Sequence, residues 1–250
     1  MKIVVIGATG LIGSRLVAKL RDDGHETIAA SPATGVNTVT GEGLAEALKG
    51  ARVVIDVTNA RSSEPAAIQE FFTTSTRNLL AAEAATGVQH HVALSIVGTE
   101  RHQDSPYYRA KSAQERLIQS GPIPHTIIHA TQFFEFLKRI ADRATTGNVV
   151  KVCSAFVQPI AADDVASAIA RVAVGPPTNS VIELAGPESF RLDDIVRRRL
   201  AATDDPREVI GDPATPYAGA LLQERTLLPS PRARVATTRF EDWITQSVVK

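Results

Sequence analysis

The first thirteen residues restrict the folds open to this chain more than any other stretch. Lys2 to Ile6 (KIVVI) reads as a strand rich in β-branched residues, and it leads straight into Gly7-Ala8-Thr9-Gly10-Leu11-Ile12-Gly13. A strand with no polar alternation is one covered on both faces, as in a parallel sheet. From Leu11 onward, Leu11, Ile12, Leu16, Val17 and Leu20 fall at helical spacing, and Gly24 stops the run. Strand, glycine turn and helix in that order let the backbone approach a pyrophosphate closely. The helix N-terminus then offers free N–H groups and the positive end of its dipole to the phosphate charge. The spacing is Gly-x-x-Gly-x-x-Gly rather than the commoner Gly-x-Gly-x-x-Gly. The physics is closely related, and the pattern predicts dinucleotide binding.

The rest of the chain extends this beginning. Thr27–Ala30, Val53–Val57, His91–Leu94 and His125–His129 read as strands. Between them lie a long helix from Pro65 to about Thr86, with Gly87 as its stop, and a helix opened by Pro106 and closed by Gly121. Alternation of this kind predicts an α/β fold, a Rossmann-type doubly wound parallel sheet with helices on both faces. Beyond residue 131 the pattern loosens. Gln132–Ala144 reads as helix and Val149–Val152 as strand. Asp163-Asp164 reads as the cap of a helix to about Val174, and Val181–Leu184 as the last strand of the main sheet. Leu192–Ala202 and Phe240–Ser247 read as helices, the latter packing the C-terminus down with Trp243. Residues 203–238 are proline-rich with little periodicity, either a lid or packing arm or an irregular connection. The expected organisation is a nucleotide-binding core over residues 1–131, rejoined by about 157–186. Residues 132–156 and 187–250 would form a small C-terminal substrate-binding part.

Composition narrows the partners. Lys plus Arg and Asp plus Glu number 27 each, so the formal net charge is zero. That balance gives no support for a nucleic acid or an acidic membrane. No stretch approaches the apolar length of a membrane span, and the N-terminal apolar run is too short for a signal peptide. The single cysteine, Cys153, cannot form an internal disulfide and reads as a small packed residue; it fits a reducing, cytoplasmic setting. The histidines show no metal-ligand spacing, so no metal is expected and His90, His91 and His129 read as structural. Asp56, inside an apolar strand, needs a hydrogen-bond partner if it is buried.

The chemistry centres on Ser105–Leu117 (SPYYRAKSAQERL). Tyr107 and Lys111 are four apart and share a helical face with Ala110, Gln114, Leu117 and Ile118, the stripe expected to point inward. Tyr108 projects elsewhere, as a packing or rim residue. An ammonium near a phenol favours the phenolate and makes the hydroxyl a usable acid or base. Ser95 lies at the end of the preceding strand, where open α/β sheets place ligands, and can orient a substrate oxygen. The second strand ends Ala29-Ala30-Ser31-Pro32, with neither the acidic residue that favours NAD nor the arginine that favours NADP; Arg15 and Arg52 could lend charge. NAD and NADP both stay open. Phe133, Phe134 and Phe136 cluster after a strand end, as walls of an aromatic pocket or as helix packing.

GATGLIG, VVIDVTN, HHVALSIVG, YYRAKSAQE, HATQFFEF and QPIAADDVA, in that order, resemble the short-chain dehydrogenase/reductase superfamily, and more closely its atypical, NmrA-like branch of NAD(P)-binding proteins. The resemblance implies that Gly7, Thr9, Gly10, Leu11, Ile12 and Gly13 cradle the pyrophosphate and that Ser31 meets the adenosine ribose. It implies that Thr58 and Asn59 border the cofactor, that Lys111 holds the nicotinamide ribose, and that Thr131, Gln132 and Phe133 flank the nicotinamide. Ser95, Tyr107 and Lys111 match the superfamily's catalytic serine, tyrosine and lysine. The implied activity is an NAD(P)H-dependent reductase acting on a carbonyl or quinone-like, possibly polyketide, small molecule, with Phe133, Phe134 and Phe136 touching the substrate. The alternative is a non-catalytic redox sensor that reports the bound dinucleotide to a protein partner. A nucleotide-sugar epimerase or dehydratase is a third reading, weakened by the short C-terminal part.

Overall fold

The structure is a computed structural model and describes residues 1–248. The elements follow in chain order. β1 (Lys2–Ile6), α1 (Leu11–Asp22), β2 (Glu26–Ala30), α2 (Leu44–Leu48), β3 (Val53–Asp56) and α3 (Pro65–Thr86) come first. β4 (His90–Ile96), α4 (Pro106–Ser120), β5 (His125–Ala130) and α5 (Leu137–Arg143) follow. Then come β6 (Thr145–Thr146), β7 (Val149–Val152), β8 (Phe156–Val157), α6 (Ala162–Val174), β9 (Ser180–Ala185) and β10 (Phe190–Arg191). α7 (Leu192–Ala201), β11 (Glu208–Gly211), β12 (Arg234–Val235) and α8 (Phe240–Val248) complete the chain.

Seven of the strands form a parallel, Rossmann-type sheet flanked by helices, in the order β12-β9-β5-β4-β3-β1-β2. β1 pairs with β2 on one side and β3 on the other, both parallel. The chain thus reverses its direction of travel across the sheet at β1, and the crevice beyond the carboxyl ends of β1 and β3 is the switch point where such sheets bind ligands.

The chain divides into two compact units. The first comprises residues 1–95, 109–129 and 165–182; the second comprises 96–108, 130–164 and 183–250. In the first, the mostly apolar strands β1 and β3 are buried along almost their whole length, as covered strands must be. One of its packed clusters gathers Val4, Ile6 and Val54 from the strands with Leu44, Leu48 and Leu79 from α2 and α3. Each such side chain, fully buried, stabilises by roughly 1.5–3 kcal/mol. α3 begins with Pro65 at its first turn and ends at Gly87 in the left-handed conformation, φ 75°, the two ends that proline and glycine suit best.

In the second unit, β11 pairs parallel with β7, and β6 pairs antiparallel with β7. Leu137, Val152, Ile195, Val196, Phe240 and Ile244 belong to its core. Cys153 is buried here as a free thiol, and burial raises its pKa.

Four sequence expectations are corrected. Val181–Leu184 is not the last strand of the main sheet, because Arg234 and Val235 pair parallel with Leu184 and Ala185. A two-residue edge strand has no periodicity to read. Residues 203–238 are accordingly not without order, since they supply both β11 and β12. The helix expected from Gln132 starts only at Leu137, after a 3₁₀ turn at Phe134–Phe136. Asp163 and Asp164 stand inside the first turn of α6 rather than at its cap. There they complement the dipole, while the Glu135 carboxylate accepts the Ala162 N–H at 3.1 Å and the Trp243 indole N–H at 3.2 Å.

Glu83 on α3 and His91 on β4 meet at 2.7 Å, both wholly buried. Burial raises the Glu83 pKa although His91 pulls against it. Burial alone would lower His91, but the Glu83 carboxylate outweighs it and the net shift is upward. His91→Ala would strand a carboxyl in the core and should cost about 3–5 kcal/mol. Replacing both together, Glu83→Leu with His91→Phe, should cost much less; urea denaturation of the single and double variants measures the difference.

Candidate functional site

In the first unit, Gly7 leaves β1 at φ 82°. A Cβ there would lie 3.0 Å from the backbone of Val57 and Thr58. The glycine therefore lets the end of β1 lie directly against the end of β3. A Cβ on Gly13 would stand 2.2 Å from the Gly7 carbonyl oxygen, so α1 packs down on the turn. The N-cap of α1 is Gly10, which makes no side-chain cap bond, and no acidic residue stands in the first turn. The helix start thus keeps uncapped N–H groups and an uncompensated positive end. Thr9 is exposed at the tip, while Ile12 and Gly13 are buried. Ser31, buried at the end of β2, opens a short turn in which its N–H bonds Thr34 Oγ1 at 2.9 Å. Thr58 follows β3 with its hydroxyl buried and unpartnered. Asn59 comes next in the same loop. Arg15 folds back along its own helix, donating to the Leu11 carbonyl at 2.8 Å. A tight glycine cradle, a bare helix end and an orphaned hydroxyl fit the pyrophosphate and ribose of a dinucleotide. Gly7, Gly10, Leu11, Ile12, Gly13, Ser31 and Thr58 are the residues that would hold it.

The same unit holds Ser95 and Lys111. Lys111 is buried, with its ammonium donating to the Leu94 carbonyl at 2.9 Å and to Gln114 Oε1. It also stands 4.7 Å from the centre of the Phe72 ring. Gln114 passes the link on, donating to Asp56 Oδ2 at 3.0 Å, and Asp56 Oδ1 accepts the Thr58 N–H at 2.9 Å. The buried aspartate flagged by the sequence thus has its partners. A hydrogen-bonded chain now runs from the loop after β3 to the lysine. Burial lowers the Lys111 pKa from 10.5 to about 8, against the pull of Asp56 and Glu115.

Ser95 donates its hydroxyl proton to Glu115 Oε1, and His129 Nε2 lies 3.0 Å from the same oxygen. Glu115 was missed from the sequence. Its position four residues after Lys111 on α4 was the available signal. Burial opposes its ionisation, yet His129, Ser95 and Lys111 together hold its pKa below the usual value.

The second unit holds the three tyrosines and the Phe133, Phe134 and Phe136 cluster. Tyr107 is half-buried against the unit's apolar cluster, its ring 6.0 Å from that of Tyr108. Tyr108 is the more deeply buried of the two, at 1% exposure. The inward face of α4 therefore differs from expectation, since Tyr108 and Glu115 join it while Tyr107 and Leu117 are only half-buried. Burial raises the hydroxyl pKa of Tyr108 far above 10, and does the same at Tyr217. Phe134 is spent on packing against Phe240 and Trp243. Phe133 and Phe136 pair with each other, and the Arg139 guanidinium lies 4.4 Å over Phe136. Thr131 and Gln132 are buried with side-chain polar atoms that find no hydrogen bond. The arm at 217–228 is tied to the segment before Tyr107: the Tyr217 carbonyl lies 3.0 Å from His102 Nε2, and Ala218 O accepts from Ser105 Oγ at 2.6 Å. Among the described residues no cluster of metal-ligating groups occurs.

Two outcomes follow from this geometry. Gly13→Ala should keep the circular dichroism of the native fold and weaken NADH binding by about tenfold or more in calorimetry. Lys111 gives a pH signature. Its folded pKa is depressed, so its contribution to stability is complete above 10.5 and lost as pH falls through about 8. Wild type should gain on Lys111→Met in thermal denaturation as pH rises across that window; a difference that stays flat would count against the buried ammonium.

Comparison with known proteins agrees with this construction. The family model described as NAD(P)H-binding matches residues 7–176. The photosystem II assembly factor Ycf39 of Cyanophora paradoxa is 28% identical over 218 residues, covering 79% of this chain and 67% of its own length. A (4-alkanoyl-5-oxo-2,5-dihydrofuran-3-yl)methyl phosphate reductase of Streptomyces griseus is 30% identical over 144 residues, covering 52% of this chain and 48% of its own. The chain thus spans about half the length of that reductase. Among solved structures, MoeE5 in complex with UDP-glucose and NAD superposes with a TM-score of 0.75 at 18% identity, covering 100% of this chain and 98% of its own. Glycine cradle, parallel sheet and family match coincide: the chain belongs to the NAD(P)H-binding family.

Proposed function

We propose that this protein is an NAD(P)H-dependent reductase of a carbonyl or quinone-like small molecule. The observation that carries the reading is the buried, paired ammonium of Lys111, one helical turn after a half-buried tyrosine and on the same unit as the glycine cradle. When bound, the dinucleotide supplies a hydride. Ser95 lies beside the substrate oxygen and Tyr107 gives that oxygen its proton. Lys111 favours the resulting phenolate and offers its remaining N–H to the nicotinamide ribose: two of its three protons go to Leu94 and Gln114. Asn59, Thr131, Gln132 and Phe133 border the cofactor. Phe133 and Phe136, with Arg139 over the latter, suit a flat, aromatic, quinone- or polyketide-like substrate. A buried thiol that forms no disulfide fits a cytoplasmic setting.

A second reading has its own support, because several relatives are named as assembly factors. On that reading the chain binds the dinucleotide and reports it to a protein partner without turnover. The two readings separate in one assay. NADH and NADPH oxidation is followed against a panel of quinones and ketones, with binding measured in parallel. Tyr107→Phe should lower kcat by about 100-fold or more while leaving dinucleotide affinity within a factor of about two. Tight binding with no turnover across the panel would favour the sensor.

A further inference from the structure

Ser95, Glu115 and His129 form a buried polar cluster that includes one residue of the proposed site. They come from β4, α4 and β5, and none is more than 9% exposed. The proposed reaction uses the serine and leaves the other two without a role. Glu115 is held ionised by His129, Ser95 and Lys111, and a carboxylate is an acceptor only. The bond between Ser95 Oγ and Glu115 Oε1 therefore consumes the serine's own proton. His129 meets the same carboxylate oxygen, which fixes the orientation of the glutamate. A hydroxyl has one proton and two lone pairs. With the proton committed inward, the serine has only lone pairs left for a bound molecule.

We propose that Glu115, backed by His129, is a positioning residue that makes Ser95 a hydrogen-bond acceptor toward the substrate. The site then prefers the hydroxyl-bearing member of a redox pair, alcohol or hydroquinone, over its carbonyl member. This rests on the reading of Ser95 as a site residue. A carbonyl oxygen at that position would face another acceptor. It would have to break a charge-assisted bond to receive the serine's proton. A hydroxyl would be met at once. Glu115→Gln removes the constraint, because the amide can donate to Ser95 Oγ and release the serine proton outward.

Neutron diffraction from deuterated crystals of the full chain reads the device without any ligand. The expected deuteron sits on Ser95 and points at Glu115; one that points away, or rides on Glu115, overturns the proposal. The kinetic arm uses the ketone–alcohol or quinone–hydroquinone pair turned over best in the panel above. Glu115→Gln should shift the ratio of the two KM values toward the carbonyl form by about tenfold, and the shift should vanish in a Ser95→Ala background. An equal change in both KM values, or a shift that persists without the serine, contradicts the positioning role. If Ser95→Ala alone leaves both directions within a factor of about two of wild type, the assignment of Ser95 to the site falls, and the deuteron position still decides the hydrogen-bond direction independently.

Discussion

A lysine ammonium taken out of water is the constraint around which the first unit is organised. Desolvation of a lone cation is expensive, and Lys111 is buried. The cost is offset by a backbone carbonyl, a carboxamide and an aromatic face, and behind the carboxamide by a buried aspartate. Asp56 in turn is fixed by the Thr58 N–H. The loop after β3 and the lysine on α4 are therefore parts of one network. A ligand that rearranges that loop acts on the environment of the cation. This is how a fold-level feature, the close meeting of β1 and β3 allowed by Gly7, comes to bear on a side chain in a different element, far along the chain.

Two polar clusters of that unit, around Lys111 and around Glu115, are tuned in opposite senses. Lys111 is pushed toward neutrality by burial, although carboxylates attract it. Glu115, only one turn further along the same helix, has its pKa held down despite burial because His129 and Ser95 hydrogen-bond it and the Lys111 charge attracts it. Separated titration behaviour within one site is what acid–base chemistry requires. Tyr108 and Tyr217, by contrast, have hydroxyl groups pushed away from the useful range by burial. The proposed proton transfer uses Tyr107, the half-buried tyrosine of α4.

Much of the fold could be read from the sequence because its covered strands and capped helices obey strong local rules. KIVVI, VVID and the Pro65-to-Gly87 helix lie where their residues place them. The sheet edge could not be read, since Arg234–Val235 is held by pairing with Leu184 and Ala185 and not by any propensity of its own. The start of α5 was hidden for a similar reason: Phe134 is drawn into the core by Phe240 and Trp243, more than a hundred residues later. Of the site, the glycine cradle and the need of Asp56 for a partner were legible, as local consequences of backbone geometry and burial. Glu115 was not, because it matters through Ser95 and His129, which only the packing of β4 and β5 brings to it.

A crystal structure of the chain with bound NADH or NADPH tests the central claim most directly. The pyrophosphate is predicted at the uncapped start of α1, over Gly10–Gly13, with the nicotinamide ribose within hydrogen-bond reach of the Lys111 ammonium. A dinucleotide seated elsewhere, or a ribose out of reach of that ammonium, would contradict it.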